Sequence, residues 1–181
     1  MPATKHTIVA LVENKPGVLS RMASLFRRRG FNIESIAVGH SETPNLSRVT
    51  IVVDGATTVI EQVRKQLDKV IDIIRVTDIS GTDLIARELA LIKVKATSST
   101  RSEIMQIVDI FRANIVDVGT DSVTVEVTGD EDKINSLFNL LSVFGVRELA
   151  RTGRIAMTRG GSNPLGGEKG QSRAVRKKQA G

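Results

Sequence analysis

Apolar residues along this chain switch between a period of two and a period near 3.6, and they do so twice in the same order. HTIVALV (6–12) is a short, nearly unbroken apolar run, which predicts a strand. KPGVLSRMASLFRRRG (15–30) changes period: Val18, Leu19, Met22, Ala23 and Phe26 share one helical face. Pro16 suits the first turn of that helix, Arg27 to Arg29 suit its negative end, and Gly30 suits a left-handed cap. FNIESIAVG (31–39) and LSRVTIVVDG (46–55) read as strands; in the second, Val49, Ile51 and Val53 alternate with Arg48, Thr50 and Val52. HSETPN between them is a turn. A capping box, Thr58 to Glu61, opens a second helix with Val59, Ile60, Val63 and Leu67 inward. VIDIIRVTDIS (70–80) then returns as a strand.

The second half repeats this order without evident sequence identity. ELALIKVKA (88–96) is a strand, and Thr100 to Glu103 form another capping box before a helix lined by Ile104, Ile107, Val108 and Phe111. Ile115 to Gly119 and Ser122 to Thr128 are strands around Thr120-Asp121. Asp130 caps a fourth helix carrying Ile134, Leu137, Phe138 and Leu141, and Val146 to Arg151 form the last strand. The order βαββαβ, twice, predicts an α+β protein of two tandem ferredoxin-like domains. They span 5–80 and 84–158, jointed at Gly81-Thr82-Asp83, with a basic tail over 159–181. Each sheet carries helices on one face only. In the first unit Thr7, Val9 and Leu11 oppose Ile8, Ala10 and Val12, so the second face is aliphatic too and predicts sheet-edge or face-to-face pairing with another copy, a homodimer at least.

Composition narrows the class. The core is Val, Ile and Leu by necessity, because the 181 residues include no Trp, no Tyr and only five Phe. The absence of Cys removes disulfides and thiolate metal sites and fits a reducing cytoplasm. No segment approaches the length of a signal h-region or a membrane span. The net charge of +6 is uneven. From Arg159 on, six basic residues face one acid, Glu168, so five of the six charges belong to the tail and the body is nearly neutral. The Gly-rich tail reads as a solubilising extension, with a phosphate-binding arm as the other reading.

Catalytic chemistry is not written in the chain. His6 and His40 stand alone, outside any metal-ligand spacing, and neither GxGxxG nor GxxxxGK[ST] occurs. The RNA-binding version of this fold stacks bases on sheet aromatics, and the strands offer only Phe31. The informative stretch is Glu13 to Leu19, where a strand runs into a helix through Pro16 and Gly17. A tight turn accounts for that pair. A second account is that the free amides of Gly17, Val18 and Leu19, with the helix dipole, suit a carboxylate at about 0.3–1 kcal/mol. Gly17 lacks a Cβ and lets a ligand backbone approach, and Asn14 offers a donor and an acceptor. Asn32, polar amid apolar neighbours, is explained by a structural turn or by a place from which it reaches a ligand across a dimer seam.

VENKPGVLSRMASLFRRRGFNIESIAVG followed by SRVTIVVDG resembles the ACT domain of the acetolactate synthase (acetohydroxyacid synthase) small subunit. RELALIKV (87–94) and RTGRIAMTRG (151–160) resemble the opening and ending of that family's second domain. The resemblance covers about residues 5 to 160; the tail after Gly160 departs from it and receives no role. It implies ACT domains that dimerise side by side and bind valine over the loop Asn14 to Leu19, with the partner's Asn32 completing the site. It implies a large catalytic subunit that holds thiamine diphosphate, Mg²⁺ and FAD, none of them on this chain. That subunit condenses two pyruvates, or pyruvate with 2-oxobutanoate, and the small subunit raises its activity and confers feedback inhibition. The rival reading is a stand-alone ACT-type sensor acting on another enzyme or on transcription, for which no helix-turn-helix is present.

Overall fold

The computed structural model describes residues 5–166. The chain divides into two compact units: residues up to Ile85 together with those from Arg154, and Ala86–Gly153.

The first unit runs β1 (Lys5–Glu13), α1 (Val18–Arg29), β2 (Ile33–His40), β3 (Leu46–Asp54), α2 (Thr57–Leu67) and β4 (Ile73–Asp78). The strands form an antiparallel sheet in the order β2-β3-β1-β4, the βαββαβ arrangement expected. Ile8, Ala10 and Val12 of β1 and Val49, Ile51 and Val53 of β3 face the helices in one core. From α1 the core receives Val18, Met22, Leu25 and Phe26. The buried stripe is therefore rotated from the predicted one: Leu25 enters, while Leu19 is 46% exposed and Ala23 is exposed. Gly30 takes the left-handed conformation (φ 68°) and ends α1, and Phe31 N–H reaches back to Phe26 O at 3.1 Å. α2 buries Ile60, Val63 and Leu67. It begins one residue before the predicted box, with Ala56 at the N-cap and no side-chain cap.

The second unit runs β5 (Leu84–Lys95), α3 (Arg101–Ile110), β6 (Asn114–Val118), β7 (Ser122–Gly129), α4 (Glu131–Ser142) and β8 (Val146–Arg151). The sheet order is β6-β7-β5-β8, and a fifth strand, β9 (Ile155–Thr158), also pairs with β5. Asp130 caps α4 as expected, accepting from Lys133 N–H at 2.9 Å. The box at Thr100 does not form, because Thr100 Oγ1 turns back to accept from Thr97 N–H at 3.0 Å. This sheet is one-sided. Ala90, Ile92 and Val94 are buried against the helices, and the other face carries polar groups such as Lys93 and Glu148, paired at 3.0 Å.

Two expectations change at the end of the chain. The second domain was to run to 158 and the tail to begin at 159. β9 (Ile155–Thr158) does pair with β5, but by compactness the residues from Arg154 on group with the first unit, as do Leu84 and Ile85 at the start of β5. The reason lies in who satisfies their polar groups. Arg154 N–H donates to Ser35 Oγ (2.7 Å) and Arg48 Nη2 donates to Ala156 O (2.7 Å). Thr77 Oγ1 donates to Pro164 O (3.2 Å) and Arg75 Nη1 to Gly166 O (2.6 Å). By register, Ser35, Arg48, Arg75 and Thr77 all stand on the sheet's second face, on β2, β3 and β4. Residues 154–166 thus cross that face from edge to edge as a strap, with Ala156 and Leu165 buried in it. Val9, Leu11, Thr50 and Val52 beneath are 0–7% exposed, so the aliphatic face is covered without a second copy. Residues 167–181, the rest of the predicted tail, lie outside the described residues.

Candidate functional site

β1 ends at Glu13, where three connections meet. Glu13 N–H donates to Asp72 O and Asn14 N–H to Asn45 O, both at 2.9 Å. Pro16 and Gly17 then form a turn, and Gly17 adopts φ 86°, a conformation that costs any residue with a Cβ. Gly17 is the N-cap of α1: its carbonyl accepts the first helical bond from Arg21 N–H at 3.0 Å. Pro16 thus precedes the helix rather than lying in its first turn. The turn at Pro16 and Gly17 closes on Lys15, the regular helical bonds start with Arg21 N–H, and α1 has no side-chain cap and no acidic residue in its first turn. Asn14, Gly17 and Leu19 are exposed. Val18 contributes only its amide, since its side chain is core.

The charges around this turn form a neutral quartet. Lys15 Nζ pairs with Glu13 Oε2 at 2.7 Å; that hydrogen bond, and then the carboxylate's charge, hold the ammonium above its ordinary pKa. Arg21 Nη1 pairs with Asp72 Oδ2.

The structure brings Asn14, Gly17, Val18 and Leu19 together and leaves Asn32 apart. Glu13 pairs with Leu46 of β3, whereas Ile33, next to Asn32, pairs with Val53. Seven residues along a strand is about 24 Å, so Asn32 lies at the opposite end of the sheet of its own chain. Ser20, through its amide, and the Arg21–Asp72 pair were missed in the sequence; no spacing marks partners 51 residues apart.

The second unit's matching loop is closed on itself. Between β5 and α3, Thr100 N–H and Arg101 N–H both donate to Thr97 O, at 3.2 and 3.0 Å, and no glycine is present from Ala96 to Arg101. Two groups elsewhere resemble sites without being wired as such. His6, Asp78 and Ser80 have the composition of a nucleophilic triad, with His6 Nδ1 3.3 Å from Asp78 Oδ2. Ser80 Oγ, however, donates to Asp78 and accepts from Thr7 N–H (2.7 Å), so its proton goes to the carboxylate and not to the imidazole. A cavity of about 570 Å³ beyond the other end of α1 is lined by Arg29, Phe31, Arg64, Lys65, Asp68 and Lys69 among others. Arg64 and Lys65 are paired with Glu61 and Asp68 of their own helix, the pattern of a solvated helical face. Among the described residues no group of three or more His, Asp or Glu could hold a metal ion, and no helix is long and apolar enough to cross a membrane.

Residues 8–75 match the family model described as the AHAS small subunit-like ACT domain, and residues 87–160 match that of the small subunit of acetolactate synthase. A chain of Archaeoglobus fulgidus named "Probable acetolactate synthase small subunit" is 57% identical over 156 residues, 86% of this chain and 98% of that one. The chain belongs to the acetolactate synthase small-subunit family. The acetolactate synthase small subunit of Mycobacterium bovis is 48% identical over 160 residues, 88% of this chain and 95% of its own. Within the family, the crystal structure of the small subunit from Thermotoga maritima superposes with a TM-score of 0.83 at 45% identity, covering 88% of this chain and 99% of that one. The ACT model lies within the unit that carries the open turn, and the second model spans the unit whose loop is closed and runs on through β9 to residue 160.

Proposed function

We propose that this chain is the regulatory subunit of an acetolactate synthase, that it raises the activity of a large catalytic subunit, and that it slows that subunit when valine is bound. Thiamine diphosphate, Mg²⁺ and FAD are assigned to the large subunit. The observation that carries the reading is the uncapped start of α1 at Gly17, which has no side-chain cap and no acidic residue in its first turn, with Gly17, Leu19 and Ser20 exposed. An anion there gains from both the amides and the dipole. The ligand's ammonium would meet Asn14, and its isopropyl group the apolar surface around Leu19.

The strap leaves the sheet an edge, not a face, for pairing with a second copy. β2 is an edge strand on which Ile36 and Val38 are 42% and 47% exposed. Antiparallel pairing of β2 with itself about a two-fold axis reverses the strand. It carries the partner's Asn32 to the end where His40 pairs with Ser47, next to the Glu13–Leu46 end that holds the turn. This supports a homodimer in which each effector site draws on both copies. Asn32→Ala is then expected to weaken valine about tenfold in calorimetric titration, the loss of one hydrogen bond to a charged group, with an unchanged melting temperature. An unchanged affinity removes Asn32 from the site.

Reconstitution tests the whole reading. Acetolactate formation by the large subunit should rise on adding this chain and fall again with valine. A large subunit indifferent to the chain would refute the assignment; a rise that valine does not reverse would refute the effector.

A further inference from the structure

Arg21 and Asp72 border the turn, and no part of the reading above uses them. Arg21 is the fourth residue of α1, and long helical side chains lean back toward the N terminus. This one does: Nη1 donates to Asp72 Oδ2, and Nη2 lies 3.6 Å from the position a Cβ would occupy on Gly17. The Asp72 side chain is only 10% exposed, and its backbone carbonyl also receives Glu13 N–H at 2.9 Å. One residue therefore fixes both the end of β1 and the guanidinium above the turn. A guanidinium has five N–H donors, and Nη2 has no acceptor among the described residues. The side chain is half exposed, so that donor remains open to a ligand.

We propose that Arg21, positioned by Asp72, is the group that makes the seat at Gly17 selective for a carboxylate. The assignment rests on reading that turn as an amino-acid site and says which atom chooses the ligand's acidic end. Backbone amides accept any oxygen lone pair, neutral or charged, whereas a guanidinium favours an anion through a charge-assisted bond. Charge balance points the same way. Glu13, Lys15, Arg21 and Asp72 sum to zero around the turn; without Arg21 they sum to −1, and a carboxylate would be repelled.

The test is titration of the full-length chain with valine and with valinamide, which keeps the ammonium and isopropyl groups and replaces the carboxylate with a neutral amide. The wild type should bind valine at least about tenfold more tightly than valinamide. Arg21→Gln should bring that ratio close to one by weakening valine, with valinamide affected less than about twofold. Arg21→Gln leaves Asp72 unpaired; if it melts too low to titrate, Arg21→Gln combined with Asp72→Asn removes both charges and should show the same loss of ratio. A variant in which valine and valinamide weaken in parallel, or in which the ratio stays at its wild-type value, overturns the role of Arg21 while leaving the seat standing. A wild-type chain that binds neither ligand overturns the seat and this assignment with it.

Discussion

In a Gly17→Asp holoenzyme the rate of acetolactate formation should be the same with and without valine. Aspartate is among the few residues that tolerate the left-handed conformation, so φ 86° strains the variant without unfolding it, at about 1–2 kcal/mol. The new Cβ meets Arg21 Nη2 at 3.6 Å, an ordinary contact, so the backbone need not move. A carboxylate grown from that Cβ lies beside both the uncapped start of α1 and the guanidinium, and satisfies them from within the chain. An incoming carboxylate then loses its donors and faces a like charge. A loss of two charge-assisted bonds corresponds to at least about 3 kcal/mol, or more than a hundredfold in affinity. Gly17→Ala isolates the conformational part. It adds the Cβ without the charge, and should keep valine inhibition at raised valine concentrations. Steady-state rates across a valine titration decide it: an undiminished response in Gly17→Asp would mean the effector sits elsewhere.

What could be read from the residues, and what could not, divides along a physical line. Periodicity fixed both βαββαβ units, because an unbroken apolar run such as β1 and a stripe at helical spacing such as that of α1 are both local patterns. The turn at Gly17 was legible for the same reason: a glycine next to a proline at a strand-to-helix junction signals a special φ within a few residues. Caps were less legible. Thr100 has the expected residue type, but its hydroxyl serves Thr97, and only the backbone geometry chooses between the two acceptor roles. Least legible were pairings across long separations. Arg21 with Asp72, and Arg48 with Ala156, are set by which strands lie side by side, and no local pattern encodes that. The aliphatic second face was read correctly as needing cover. The cover came from residues 154–166, whose polar composition around Gly160 and Gly161 disguises a segment held through its backbone, by strand pairing with β5 and by side chains of this sheet.

That strap carries the other large expected effect. A chain ending at Gly166 keeps every contact described for the strap and is the reference for its removal. A chain ending at Gly153 should melt at least about 10 °C lower, or associate through the uncovered sheet. Two guanidinium-to-carbonyl bonds vanish, from Arg48 and from Arg75, each worth about 1.5–3 kcal/mol. Burial holds the pKa of Arg48 below the ordinary value in the intact chain, and loss of Ala156 O removes the acceptor that compensates that burial. Removing Leu165, 5% exposed, forfeits about another 1.5–3 kcal/mol of apolar burial. The sum is several kcal/mol, against a total of about 5–15 kcal/mol for a typical protein. Leu165→Asp in the full-length chain should reproduce a large part of the loss from a single side chain. Scanning calorimetry with light scattering gives both readouts. If the Gly153-ended chain melts with the full-length protein and remains the same size, residues 154–166 are not what keeps the second face of this sheet closed.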